Sequence, residues 1–159
     1  MKRLCIMLFV VVLAAAASES GAATSLGKDE NGQPCFLLGC SDKNSSSTVP
    51  FANIRRYLSN SAVMDNEINW LTSHNVTPAR ARELYFIQEY YEYSRDGKSY
   101  RTRAMEYFNM RGKRIRTRTF QFSNLTAVEA GSIPDLCKEY IDWSKYSSQS
   151  SSTGHEEDS

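Results

Sequence analysis

The chain has 159 residues, 41% of them hydrophobic and 23% charged, and its 19 basic and 18 acidic side chains leave a net charge of +1 at pH 7. This balance excludes a global electrostatic pull toward nucleic acid or a membrane surface, so a charge-based function must rest on how the charges are distributed. The length suits one domain with one core, and four cysteines beside two histidines give no zinc-ligand pattern, so neither a metal nor a cofactor is expected.

In chain order, Lys2 and Arg3 precede an unbroken apolar run from Leu4 to Ala17, followed by small residues through Ala23. That is the layout of a secretory signal peptide, with cleavage after Ala17, Ser20 or Ala22, and residues 1–20 are assigned to it. The apolar run is shorter than the roughly 20 residues a membrane-spanning helix needs, and no second run follows, so a secreted, extracellular protein without membrane insertion is expected. Asn44, Asn75 and Asn124 head Asn-x-Ser/Thr triplets, the acceptors of N-linked glycan in an exported chain.

Loss of Cys5 with the signal leaves Cys35, Cys40 and Cys137. An oxidising compartment favours a bond from Cys137 to Cys35 or Cys40, stapling the two ends of the domain. The third thiol is then free, or joins two chains as a disulfide-linked dimer. Residues 21–49 are rich in Ser, Gly, Asp and Lys and read as a flexible, cysteine-containing arm. Residues 50–143 read as a single α+β domain, and residues 144–159 as a disordered Ser-rich acidic tail.

Within the domain, Pro50 can open a helix whose face carries Phe51, Ile54, Tyr57 and Leu58 at three- and four-residue spacing. Met64, Ile68 and Leu71 continue that period in a second helix, capped by Asp65 or Ser61, and Thr77-Pro78 can start a third turn. From Leu84 the pattern becomes that of strands: Leu84 to Tyr93, Tyr100 to Met110 and Arg114 to Phe122, joined at Asp96-Gly97 and Gly112-Lys113. Two-residue loops there would pair Glu92 with Arg101, Tyr90 with Arg103, Met105 with Gln88 and Phe120, and Tyr107 with Phe86 and Arg118. Leu136, Tyr140 and Trp143 recur at helical spacing, suited to docking on the sheet. The expected fold class is α+β, with N-terminal helices packed on an antiparallel β-meander of three or more strands.

The sharpest feature lies between Arg95 and Arg118, where nine basic residues face two acidic ones, Asp96 and Glu106. Arginines at two-residue spacing on a strand stand about 6.6 Å apart on one face, within reach of repeated anionic groups such as glycan sulfates. Arg101, Arg103, Arg114, Arg116 and Arg118 are therefore the candidate binding residues, for an extracellular protein or an anionic glycan. A bland alternative is an edge strand kept soluble by charge. Two other functions are a carrier of a small apolar or aromatic ligand, in a pocket lined by Tyr85, Tyr91 and Phe108, and a protease inhibitor using a hairpin tip.

Catalysis has no signature, since no Gly-x-Ser-x-Gly elbow and no Gly-rich phosphate loop is present. Glu89 and Glu106 could face one another on adjacent strands, as a glycosidase pair does, but the surrounding arginines explain them as charge balance, and no enzyme is expected. A helix followed by an antiparallel meander resembles the element order of cystatin-like and nuclear-transport-factor-like folds. The first hairpin reads Ser94-Arg95-Asp96-Gly97-Lys98 rather than the Gln-x-Val-x-Gly wedge of cystatins, so inhibition of papain-type proteases is not supported.

Overall fold

The computed structural model describes residues 23–121 and 123–147. The signal segment 1–20, Phe122 and residues 148–159 of the expected tail lie outside the described residues. The architecture is an antiparallel meander curled into a half-barrel, with short helices on its inner side. Strands β1 (Thr24–Lys28), β2 (Pro34–Cys40), β3 (Phe51–Tyr57), β4 (Leu84–Tyr93), β5 (Ser99–Asn109) and β6 (Arg114–Thr119) follow one another in space as in sequence. The short β7 (Thr126–Ala127) pairs with the start of β5, beside the stretch that β6 leaves uncovered.

The segment read as a flexible arm supplies β1 and β2. Their turn is built by Asp29, whose Oδ1 accepts from the backbone N–H groups of Asn31 and Gln33 at 2.9 and 2.8 Å. The residues read as a first helix form β3: Ala52 and Ile54 are buried at a spacing of two, and β3 is hydrogen-bonded on both sides, to β2 and to β4. Sheet pairing overrides the apparent helical spacing of Phe51, Ile54, Tyr57 and Leu58.

The second expected helix is present as α1 (Ser61–Ser73), capped by Asn60, whose Oδ1 accepts from Ala62 and Val63 N–H at 3.0 and 3.3 Å. Neither Ser61 nor Asp65 supplies the cap, because Asn60 sits one residue earlier in extended backbone with its oxygen aimed at the first turn. The turn started by Thr77-Pro78 is α2 (Pro78–Ala81), with the Thr77 hydroxyl accepting from Arg80 N–H. The C-terminal segment forms α3 (Ile133–Cys137), a 3-10 turn (Lys138–Tyr140) and α4 (Ser144–Ser147). None of these helices is long and apolar enough to cross a membrane.

The inner face of the sheet carries two apolar clusters. Under α1 and α2 lie Leu71, Val76, Ile87, Tyr107 and Ile115, with Trp70 stacked on Tyr107 at 5.3 Å between centroids. Under α3 and the segment after it lie Leu37, Ile54, Tyr91, Tyr93, Ile133, Cys137, Ile141 and Tyr146. The C-terminal segment also closes the β2–β3 loop. The Tyr146 hydroxyl donates to the carbonyls of Ser47 and Val49, both at 3.3 Å, and Lys145 Nζ donates to Ser45 at 2.9 Å. Ser144–Ser147, expected as part of the tail, is therefore structured. At the β4–β5 turn Gly97 has φ +67, and a Cβ there would lie 3.1 Å from the Trp143 ring.

Register decides which side chains share a face. Glu92 does pair with Arg101, as expected. Arg103 is then an extra residue: Tyr91 pairs with Thr102 but Tyr90 with Ala104, and from there to Phe86 opposite Phe108 the pairing is displaced by one, until a second irregularity before Phe86 returns Leu84 to Asn109. Met105 therefore lies opposite Glu89 and Tyr107 opposite Ile87, both on the inner face, not opposite Gln88 and Phe86. On the other side they meet Arg118 and Arg116 rather than Phe120 and Arg118, because Met110, Arg111 and Gly112 form a three-residue loop closed by Asn109 and Lys113 and a bulge at Ile115, between the Phe108–Arg114 and Tyr107–Arg116 pairs, shifts the register by one residue.

Candidate functional site

The five candidate arginines do not form one stripe. Arg101 and Arg103 project from the outer face and share a single carboxylate. Arg101 Nε donates to Glu92 Oε1 at 3.0 Å, its Nη2 reaches the same oxygen, and Arg103 Nε lies 3.2 Å from Oε2. Arg114 is on the same face, with Nη1 2.7 Å from Glu106 Oε1, and the Tyr90 hydroxyl donates to Glu106 Oε2 at 3.0 Å. Burial and the adjacent Glu106 push the Tyr90 hydroxyl up to about 12, so it stays a donor.

Arg116 and Arg118 belong to the inner side, where the sheet runs out beyond α1. The Arg118 guanidinium lies between two rings, 4.7 Å from the Trp70 centroid and 4.6 Å from that of Phe120. Trp70 also stacks on His74 at 4.2 Å, which places this histidine as a ring contact and acceptor-donor partner of Ser73 and the Trp70 carbonyl. Arg116, exposed and opposite Tyr107, has no carboxylate partner among the described residues.

Spatial neighbours extend the basic region beyond the span of sequence that suggested it. Arg80 of α2 donates from Nη2 to the Arg114 carbonyl at 3.2 Å, bringing α2 against the β5–β6 hairpin. Between them lies a cleft of about 330 Å³ lined by Thr77, Ala79, Arg80, Glu83, Asn109, Lys113, Arg114 and Ile115. Asn109 organises it: its Oδ1 accepts from the N–H groups of Arg111 and Lys113 at 3.1 and 2.9 Å, and its Nδ2 donates to Glu83 Oε2 at 3.1 Å. Arg80 was missed by a charge count that began at Arg95. The signal that could have found it was the capped Thr77-Pro78 turn, which presents Arg80 and Arg82 just before β4.

A second polar constellation is buried between the two apolar clusters. The Arg56 guanidinium lies 3.2 Å from Asp29 and 3.0 Å from Glu89, and Tyr91 donates to Glu89 at 2.7 Å. Burial holds the Glu89 carboxyl above its ordinary range despite Arg56 and Tyr91. Burial also works against the Arg56 charge, but Glu89, Tyr91, Cys35 and Asp29 outweigh it and fix Arg56 as a cation. Gln33 Oε1 and Arg56 Nε beside this group have no protein partner. Glu89 and Glu106 are not a facing pair: Glu89 points inward opposite Met105 and Glu106 outward opposite Gln88, a consequence of the Arg103 bulge.

The tyrosines and phenylalanine expected to line a carrier pocket are also split between faces. Tyr91 is buried on the inner face, while Phe108 stacks on Phe86 on the outer one and Tyr85, 43% exposed, contacts Tyr57 and Phe86 there. Cys35 and Cys137 are buried thiols of one cluster, with Cys40 packed against it and donating to the Tyr140 carbonyl at 3.1 Å. Burial pushes the Cys35 thiol up to about 11 and that of Cys137 to about 12. Among the described residues no disulfide is formed and no group of three His, Cys, Asp or Glu is placed to hold a metal ion. Asn44, Asn75 and Asn124 are all exposed, Asn75 in left-handed backbone (φ 66) just after α1. Compared with known proteins, the chain matches no family model, no curated protein and no solved structure.

Proposed function

We propose that this chain is a secreted glycoprotein that acts by binding, recognising an extracellular protein or anionic glycan through the arginine-rich end of its sheet. One observation carries the reading. Arg80, held against the β5–β6 hairpin, and Arg111, Lys113 and Arg116 on it are exposed cations, and none has a carboxylate partner among the described residues, whereas Arg101, Arg103 and Arg114 are each ion-paired. Like charges held together without compensation repel, and a bound anion removes that repulsion. The binding surface therefore shifts from the whole set of five arginines to the β5–β6 hairpin and α2, with Arg116 retained from the set and Arg114 kept because its side chain stays 60% exposed beside Glu106. The exposed positions of Asn44, Asn75 and Asn124 are compatible with glycan at each.

The test is retention on a sulfated-polysaccharide column at low salt. Replacing Arg111, Arg114 and Arg116 by Ser should abolish retention, while replacing Arg101 and Arg103 by Ser should leave most of it. Equal retention of the first variant and the unmodified protein would sink the reading.

A further inference from the structure

The geometry points to the cleft between α2 and the β5–β6 hairpin as a site for a single sugar carrying a sulfate or phosphate monoester; this inference rests on the reading of the hairpin as an anion-binding surface. Arg80, Lys113 and Arg114 line the cleft together with one carboxylate, Glu83. Arg114 is already paired with Glu106, whereas Glu83 is engaged by the Asn109 amide and forms no ion pair with Arg80 or Lys113, so the charge of these two is left uncompensated beside the opening. The Arg80 guanidinium is held at the rim by its bond to the Arg114 carbonyl, which removes part of the ordering cost of binding and leaves further N–H donors for an oxyanion.

The lining is mixed in polarity: buried Ile115 and the Ala79 methyl supply its apolar part, on which the C–H face of a sugar ring can lie. A wholly inorganic anion would gain nothing from that apolar part. At about 330 Å³ the cleft is at the small end of the roughly 300–1,000 Å³ range of ligand sites, which limits it to one ring with its ester rather than a longer chain. The Thr77 hydroxyl at the α2 end accepts from Arg80 N–H and retains its own proton to donate. A tetrahedral monoester suits these donors better than a planar carboxylate, because it offers three oxygens to cations arriving from two elements. No bond is made or broken; the inference is one of recognition.

The test is an amide-resonance titration of the full chain with N-acetylglucosamine 6-sulfate, the corresponding 6-phosphate, glucuronate, unmodified N-acetylglucosamine and inorganic sulfate. Either ester should shift Asn109, Arg111 and Lys113 saturably, and the tighter of the two identifies the source of the anion. The Arg80→Ser/Lys113→Ser variant should bind at least tenfold more weakly, with the resonances of Ile54 and Tyr91 unmoved as evidence that it folds. Lys28→Ser, on β1 at the opposite edge of the sheet, should change affinity by less than twofold. Glucuronate or inorganic sulfate binding as tightly as the esters would overturn the assignment, as would binding by the uncharged sugar. A protein retained on the sulfated column without these shifts loses the cleft but keeps the surface reading. One that is neither retained nor shifted loses both.

Discussion

The covered middle of the sheet and its open β6 edge treat arginine in opposite ways. Arg56 and Arg116 both project toward the inner side, from β3 and β6. Arg56, its side chain 22% exposed, lies against two buried carboxylates, one of which also accepts from the Tyr91 hydroxyl. Arg116 lies past the cover that α1 provides and has no carboxylate within the described residues. Where water is excluded, an unpaired charge is too unfavourable to persist, so the sequence supplies Asp29 and Glu89 from two other strands or turns. Where water remains, the same charge persists alone. An excess of arginine in sequence is thus not an excess of potential in space, and the two regions differ in what removing the arginine would reveal.

The comparison breaks most readily at Arg56. Arg56→Ala leaves Asp29 and Glu89 buried without their cation, and should destabilise the protein by about 3–5 kcal/mol in denaturant unfolding. A loss below about 1 kcal/mol would mean that the middle of the sheet is wetter than its packing implies.

The cysteines sharpen the same contrast, because Cys35 and Cys137 belong to the covered region. Material secreted through an oxidising compartment should carry a bond from Cys137 to Cys35 or Cys40, closing a loop of about 100 residues and adding on the order of 4 kcal/mol in the chain-entropy account. Peptide mapping without reduction checks the pairing, and a Cys35–Cys40 ring as the sole bridge would contradict it.

In the reduced protein, the Cys35 and Cys137 thiols, pushed by burial up to about 11 and about 12, make the folded state bind more protons than the unfolded one above pH 9. The stability they contribute is complete below pH 9 and is lost as the pH rises through 11 and 12, at about 1.4 kcal/mol per pH unit for each thiol. Unfolding curves between pH 8 and 10, below the range in which the buried tyrosines contribute, should show the start of that decline, and Cys35→Ala/Cys137→Ala should flatten it there.

Smaller effects are expected at the edge. Arg118→Ala removes the guanidinium packed on Trp70 and Phe120 and should lower stability by about 0.5–1 kcal/mol, visible as a small shift of the unfolding midpoint. Arg116→Ser should change stability by less than about 0.5 kcal/mol while weakening retention on a sulfated matrix. These two neighbours on one strand separate a packing arginine from a ligand-facing one. If both behave alike, the edge is uniform and the distinction drawn here is lost.

Local signals were legible where one strong pattern stood alone. The Asp-Gly and Gly-containing turns, the strand character of Leu84–Tyr93 and the pairing of Glu92 with Arg101 could all be read in the residues, as could α1 from Met64, Ile68 and Leu71. β3 was hidden because Arg56 occupies the position where a third alternating apolar residue would have announced a strand. That residue is tolerable there only because Asp29 and Glu89 arrive from distant parts of the chain. The faces of β4–β6 were hidden for a related reason: the bulge at Arg103 displaces the pairing by one residue, and a displacement of one exchanges the two sides of a strand.

The same logic governs the site. Composition by itself determined that this protein concentrates arginine in its second and third long strands and that cysteines lie near both ends of its domain. Only the tertiary structure decided which arginines are neutralised, that Arg80 joins Lys113 and Arg114 around a cleft, and that Glu89 and Glu106 point to opposite sides. Local pattern records what each residue prefers of its nearest neighbours, whereas compensation of charge depends on long-range pairing, and that is set by register and cover rather than by any stretch read alone.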